Sequence, residues 1–433
     1  MVNAALSQVG TLLDVARMKE ILSRRVFAGA RVSACRILHF RYKPGRTWIV
    51  SYAVSLPGAE DERIVYLRAC ERRGSAPRYA KSRALDQDVR HIPDLDSVAW
   101  IFPSDRKLTG LHSLFNDADT RSNVLPLIVA SAYGPGWIAQ NCSREIVHYL
   151  PERSCMIRLD VTLRHANDAS REIAVAFYGK AYPDEQGAET FRYMSELWGG
   201  EARVARPLLY QPESAVMWQL GVKGAGLNIR APHELEAAAM ALAALHRSRV
   251  SGLPEYPSTA SRLDATADVI GDAMPDHRET ILVLIRRLRD ESIHLGTRPP
   301  ATLHGDLHLK NFIVTSKGVA LIDLDTLAAG DPLEDLASFA AALCSSGLAD
   351  GVPVEQTQQH VTAFVKAYER ASGWDVPEFD LNWHIAAALT TERALRAVTR
   401  MKADSPSPGV LIDMASSFAQ LAEEALTRTR VFV

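Results

Sequence analysis

The sequence predicts an α+β fold in which strands and helices are segregated along the chain. Period-two apolar patterning dominates residues 35–70 and returns at 147–182. Period-3.6 patterning takes over after residue 232, and only a short hairpin-like segment, 301–325, interrupts it. Strands gathered first and helices afterwards form separate layers rather than alternating βαβ units.

Residues 11–25 read as an amphipathic helix. "CRILHFRYKPGRTWIVSYAVSL" (35–56) alternates about a Lys43-Pro44-Gly45 turn, the signal of a β-hairpin, and "RIVYLRAC" (63–70) adds a third strand. The pattern then repeats. "VHYLPERSCMIRLDVTL" (147–163) matches 40–56 at constant offset, pairing Pro44 with Pro151, Arg46 with Arg153, Val50 with Ile157 and Leu56 with Leu163. "REIAVAFYGKAY" (171–182) echoes "ERIVYLRAC" (62–70), shifted by two further residues. This predicts an internal repeat of a three-strand unit. The second copy carries Lys180 at its strand end, and the first has no aligned Lys. Residues 91–140 read as a connector with one or two short helices.

A helix follows at 184–198, with Phe191, Met194 and Leu197 on one face, then two strands at 202–210 and 214–222. From 232 onward the pattern is helical. Asp276 with Glu279, and Asp331 with Glu334, have capping-box spacing, with Pro332 at a first helical position. Further helices are expected near 354–371, 381–402 and 410–429, with a loop at 402–409.

The 433 residues allow two or three domains. No apolar run reaches the length of a membrane helix, no aromatic-basic stripe suggests nucleic-acid binding, and no signal peptide is evident. The five cysteines are scattered without a C-x-x-C pair, so a cytoplasmic protein is expected. The net charge of −2 is unevenly spread: residues 1–230 carry 31 Lys+Arg against 24 Asp+Glu, and residues 231–433 carry 18 against 27.

The chemistry concentrates in "HGDLHLKN" (304–311) and the run that ends at Asp323 and Asp325. Asp306, in a polar loop, can orient or deprotonate a hydroxyl. Asn311 and Asp323 offer oxygen ligands suited to Mg²⁺, which takes a few protein oxygens and completes its shell with phosphates and water. A hairpin between them would fold Asp323 back beside Asn311, the convergence that phosphoryl transfer requires. His304 is expected to anchor the loop backbone. His308 could touch substrate or support the loop, and Asp325 could be a further metal ligand or a backbone acceptor.

H-x-D-x-x-x-x-N followed by I-D resembles the catalytic loop and metal-binding Asp of the kinase-like fold. The variant here, H-G-D-L-H-x-x-N, then I-D-x-D, then G-D-P-x-x-D-L-A, is similar to the aminoglycoside phosphotransferase and choline kinase superfamily over His304–Ala337. The resemblance implies that Asp306 is the catalytic or hydroxyl-orienting group and that Asn311 and Asp323 hold Mg²⁺. Lys180 would contact the nucleotide phosphates. Glu189 would pair with it, with Glu196 as competitor. Gln219 and Leu220 would form the hinge that meets the base of ATP or GTP. The turn "LPERS" stands where a glycine-rich loop would cover phosphates, leaving that task to loop amides and Arg153.

The expected architecture is a two-lobed kinase-like fold: an N-terminal β-rich cap over 1–140 that partly duplicates the small lobe, the small lobe over 141–221, and a helical large lobe over 222–433. The implied activity is Mg²⁺-dependent phosphorylation of a small-molecule hydroxyl on an aminoglycoside, amino alcohol or sugar. The alternative is a non-catalytic nucleotide-binding regulator. The acidic second half favours a cationic acceptor, whereas Arg393, Arg396 and Arg400 in "TERALRAVTR" (391–400) favour an anionic one.

Overall fold

The computed structural model describes residues 2–43, 47–59, 61–70, 74–400 and 406–431. The tip of the Lys43-Pro44-Gly45 turn, and the start of the 402–409 loop, lie outside the described residues. The chain forms two compact units. The first is Met1–Glu189 with Leu208–Gly221, and the second is Thr190–Pro207 with Val222–Val433.

The first unit opens with α1 (Val2–Leu13) and α2 (Val15–Arg25). The single helix expected over 11–25 is thus two. Asp14 breaks it because its side chain accepts the Arg17 N–H at 3.0 Å and restarts the helix as an N-cap. The first sheet contains β1 (Ala34–Lys43), β2 (Thr47–Ser55), β3 (Arg63–Cys70), then α3 (Ser75–Arg83), β4 (Val89–Ile92) and β5 (Ser97–Ile101). Its order is β1-β2-β3-β5-β4, antiparallel throughout. Both faces of β2 are covered. Val50, Tyr52 and Val54 pack with Met18 and Leu22 of α2, while Ile49 packs with Tyr66, Val98 and Trp100. The period-two alternation of the sequence therefore separates two cores.

Strands β4 and β5 correct the reading of 91–140 as a mere connector. Each is too short, and too close to the turn at Pro93–Leu95, to show a period in sequence. The helical pieces α4 (Leu111–Leu114), α5 (Asp117–Asp119) and α6 (Leu125–Tyr133) complete that stretch.

The second sheet has β6 (Trp137–Leu150), β7 (Ser154–His165), β8 (Asp168–Ala181), then α7 (Gln186–Leu197), β9 (Pro207–Gln211) and β10 (Val216–Leu220). Its order, β6-β7-β8-β10-β9, is that of the first sheet, with a helix in the same place. The register is also informative. Ile49 pairs with Arg68, and Met156, its counterpart at the hairpin offset, pairs with Lys180. Arg68 therefore occupies in the first sheet the place of Lys180 in the second. The two-residue shift read from sequence instead aligns Arg68 with Phe177, because strand ends of similar composition align at more than one register.

In the second unit, β11 (Ala225–Gly226) precedes α8 (Pro232–Arg247), α9 (Thr259–Ala273) and α10 (Arg278–Glu291). Strands β12 (Ala301–Leu303), β13 (Phe312–Thr315), β14 (Gly318–Leu321) and β15 (Ala328–Gly330) pair as β11-β13-β14 and β12-β15. Helices α11 (Leu333–Ala349), α12 (Val354–Ser372), α13 (Glu378–Ala388), α14 (Leu395–Arg400) and α15 (Pro408–Val431) follow. A π-turn, Leu389–Ala394, joins α13 to α14, with the Thr390 and Thr391 hydroxyls donating back to the Ala386 and Ala387 carbonyls at 2.9 Å.

Neither expected capping box forms. Asp276 sits in a tight turn, Pro275–His277, and α10 has no side-chain cap. Asp331 accepts the Leu333 N–H at 2.9 Å, but Glu334 turns away to Arg262 at 2.5 Å, an ion pair stronger than a backbone cap. Among the described residues no helix is long and apolar enough to cross a membrane.

Candidate active site

The "HGDLHLKN" loop leaves β12 and is held by one buried carboxylate. Asp335, in the first turn of α11, accepts the backbone N–H of His304 at 2.6 Å and of Gly305 at 2.9 Å, and contacts His246 Nε2 at 3.1 Å. His246 in turn meets the Tyr368 hydroxyl at 2.7 Å. Burial opposes ionisation of Asp335, but His246 and these donors outweigh it and hold its pKa below the usual carboxylate range. Gly305 has φ +79, and a Cβ there would lie 2.2 Å from the Thr326 carbonyl oxygen. Only glycine fits.

His304 is fully buried and acts as the expected anchor, its Nε2 lying 3.0 Å from the Ile322 carbonyl. Asn311 reaches the same carbonyl through Nδ2 at 3.3 Å, while its Oδ1 accepts the His308 N–H at 3.1 Å. The β13–β14 hairpin, with Phe312 opposite Leu321, folds the chain back so that Ile322 lies against the loop and Asp323 comes next. Asp323 has φ +61, a left-handed backbone rare for a residue with a side chain and concentrated at functional sites. Thr326 closes the circuit by donating to the His304 carbonyl at 2.9 Å, and Asp325 lies half-buried between.

Asp306 is paired with Arg396 of α14 at 2.6 Å. Burial raises its pKa, but the charge and hydrogen bond of Arg396, with His308 and Arg393, bring it down to about 2. Burial likewise depresses His308, to about 4, so that His308 is neutral at neutral pH. A cavity of about 380 Å³ opens at Asp306 and His308 and extends past Ser345 to Arg393, Arg396 and Arg400.

Of the remaining residues singled out from the sequence, Lys180, Glu189, Gln219 and Leu220 lie in the first unit and Glu196 in the second. Lys180 is 5% exposed, flanked on β8 by Met156 of β7 and Met217 of β10, with its ammonium 5.6 Å from the centre of the Tyr182 ring. Gln219 and Leu220 are half-buried at the end of β10, opposite Tyr178 and Phe177. Glu189 does not form the expected ion pair with Lys180. It sits on the exposed face of α7, whose buried face is Thr190, Tyr193, Met194 and Leu197. Glu196 is also committed elsewhere, accepting from Arg192 and the Ser251 N–H, both at 2.8 Å. Sequence spacing has no means of finding the Asp335–His246 brace, because its members lie 89 residues apart.

His304 and Asn311 of the Asp306 loop meet on the Ile322 carbonyl, one residue before Asp323, and this arrangement, on a helical unit preceded in the chain by antiparallel sheet, belongs to a mixed α+β kinase-like fold, here with an extra N-terminal sheet. The model of the phosphotransferase enzyme family known as APH matches residues 160–380, and the chain belongs to that family. Among solved structures it is similar to a choline kinase from Cryptosporidium parvum Iowa II, at 12% identity over 66% of this chain and 91% of that one, with a TM-score of 0.46. It is also similar to an aminoglycoside phosphotransferase from Streptomyces rimosus, at 21% identity over 60% and 94%, TM-score 0.38. A third is the amicoumacin kinase hAmiN in complex with AMP-PNP and Ca²⁺, at 13% identity over 66% and 88%, TM-score 0.42. No curated protein matches the chain significantly.

Proposed function

We propose that the protein transfers the γ-phosphate of ATP or GTP to a hydroxyl of a small molecule, with Mg²⁺. The observation that carries this reading is the circuit about the Ile322 carbonyl, which gathers His304, Asn311 and the residue before Asp323 beside the Asp306 loop. Asn311 and Asp323 suit the metal. The amide oxygen of Asn311 accepts one protein hydrogen bond and keeps a lone pair, and the Asp323 carboxylate is exposed. Among the described residues no group of three or more His, Cys, Asp or Glu forms a metal cage. Mg²⁺ needs none where phosphates and water complete its shell. When bound, it would neutralise charge on the transferring phosphoryl group.

A carboxylate with a pKa of about 2 is a poor proton acceptor. Asp306 therefore acts chiefly by accepting a hydrogen bond from the acceptor hydroxyl and aligning it for in-line attack. Lys180 would bind the nucleotide phosphates without help from Glu189, and Gln219 and Leu220 would meet the base. Residues 1–140 would be a degenerate copy of the small lobe at 141–221, with the large lobe spanning 222–433.

Mass spectrometry of a metabolite mixture incubated with Mg²⁺ and both nucleotides tests this, comparing the protein with Asp306→Asn. A phosphorylated product that depends on Asp306 supports transfer. Nucleotide binding without any product favours a regulator instead, and loss of both removes the reading.

A further inference from the structure

We infer that the acceptor carries a negative charge, a phosphate or carboxylate beside its hydroxyl, received by the basic wall of the cavity at Asp306. This rests on the phosphotransferase reading above and narrows its acceptor.

The cavity wall holds four cationic side chains, Lys310, Arg393, Arg396 and Arg400, against one carboxylate, Asp306. Three of the cations come from one stretch. Arg393 is the next-to-last residue of the π-turn, Arg396 follows three residues later and Arg400 four after that, so they share a helical face. Arg396 is matched by Asp306 at 2.6 Å. Arg393 lies 3.5 Å from Glu392, a buried carboxylate that also holds Arg262 at 3.4 Å and the Ser338 hydroxyl at 2.8 Å. Even with Glu392 counted, cations exceed carboxylates among the described residues that line this space.

Burial, together with the neighbouring Arg396, pushes the Arg393 pKa down against the pull of Glu392. Crowded cations of this kind are relieved by an incoming anion. Lys310, exposed at the rim, has no ion-pair partner among the described residues. A polyamine or quaternary amine would enter this field against like charge, which opposes its binding. The acidic surplus of residues 231–433 as a whole does not decide the matter, because a ligand experiences the local field of its cleft.

The geometry fixes the polarity of binding. An anionic group seated on Arg400 and Lys310 leaves the hydroxyl to reach Asp306, and can draw Arg396 away from that carboxylate. The wall could also receive phosphates of the nucleotide, so the test separates the two sources.

Binding of inorganic phosphate and of choline to the full chain is measured by calorimetry, without nucleotide and then with saturating Mg·AMP-PNP. Lys310→Gln and Arg400→Gln, both outside the core, are measured beside the parent, with thermal melts to confirm folding. The expected result is millimolar phosphate binding that survives the nucleotide analogue and weakens about fivefold to tenfold in each variant, with no choline binding. Phosphate binding abolished by Mg·AMP-PNP would assign the wall to the donor and overturn the inference. Choline binding, unaltered affinity in the variants, or no phosphate binding would overturn it too. Binding of Mg·AMP-PNP itself is read in the same titrations. If it binds and phosphate does not, the acceptor inference fails while the kinase reading stands. If phosphate binds and the nucleotide analogue does not, the basic wall stands as an anion site and the kinase reading fails.

Discussion

Arg68 of the first sheet holds Glu152 of the second through an ion pair of 2.5 Å. Glu152 is the middle of the turn that joins β6 to β7, and its side chain is 1% exposed. Arg106 adds two bonds to the same carboxylate at 2.8 and 3.0 Å, and Asp105 accepts the Glu152 N–H at 3.0 Å. Arg41 reaches the Pro151 carbonyl at 3.3 Å. Arg41 and Arg68 of the N-terminal sheet, with Arg106, therefore clamp the β6–β7 turn, and Arg68 does so from the register position that Lys180 holds in the second sheet.

Removing Arg68 should be costly. Glu152→Gln or Arg68→Leu breaks a buried pair, a loss of about 3–5 kcal/mol, read as a lower urea midpoint. Burial raises the Glu152 pKa, but Arg106 and Arg68 hold it below the usual range. This contribution is present above the unfolded carboxyl value and is lost as pH falls through the depressed one. Both variants should therefore flatten the acid side of the stability profile.

The acid limb of activity should not come from Asp306. Its folded pKa of about 2 lies below its ordinary 3.8, so it stays ionised across the mildly acidic range. In Arg396→Gln the carboxyl should move up toward 3.8, shown by carbon-detected titration of the Asp306 side chain. An unmoved midpoint would dissociate Arg396 from Asp306.

Gly305→Ala should fail even though it adds one methyl group. The Cβ would collide with the Thr326 carbonyl at 2.2 Å in a left-handed backbone. We expect a loss of more than about 1 kcal/mol in stability and loss of transfer, measured by melting and by product formation. Gly199→Ala, also at positive φ but with nothing within 4 Å, should cost only the backbone strain.

Asp335→Ala should loosen the 304–311 loop from its base. Two backbone N–H groups and His246 lose their shared acceptor in a buried site, which costs about 3–5 kcal/mol. Hydrogen exchange at His304 and Gly305 should accelerate, and unchanged protection there would show that the loop is held by other contacts.

Asp323→Ala should separate metal from nucleotide. Without its carboxylate the Mg²⁺ dependence of nucleotide binding should weaken by at least about tenfold, measured by titrating Mg²⁺ at fixed nucleotide. An unchanged dependence would place the metal elsewhere.

Much of the candidate site was legible because its members are close in sequence. His304, Asp306 and Asn311 share one loop, and a period-two run with a Ser-Lys-Gly turn brings Asp323 back to it. The ion pair expected of Glu189 was not legible, because a helix can present a residue to water or to its neighbour and spacing does not say which. Strands β4 and β5 were missed since four or five residues show no reliable period.

The sequence by itself determined the segregated strands and helices, the hairpin that brings Asp323 beside Asn311, and the candidate residues of the loop, because each follows from local spacing. That Asp335 braces the loop was legible too, whereas tertiary structure alone decided that His246 backs Asp335, that Arg396 pairs with Asp306, and that Arg68 grips Glu152. Those partners lie 89, 90 and 84 residues apart. Charge interactions act through distance in space, which a linear pattern does not record.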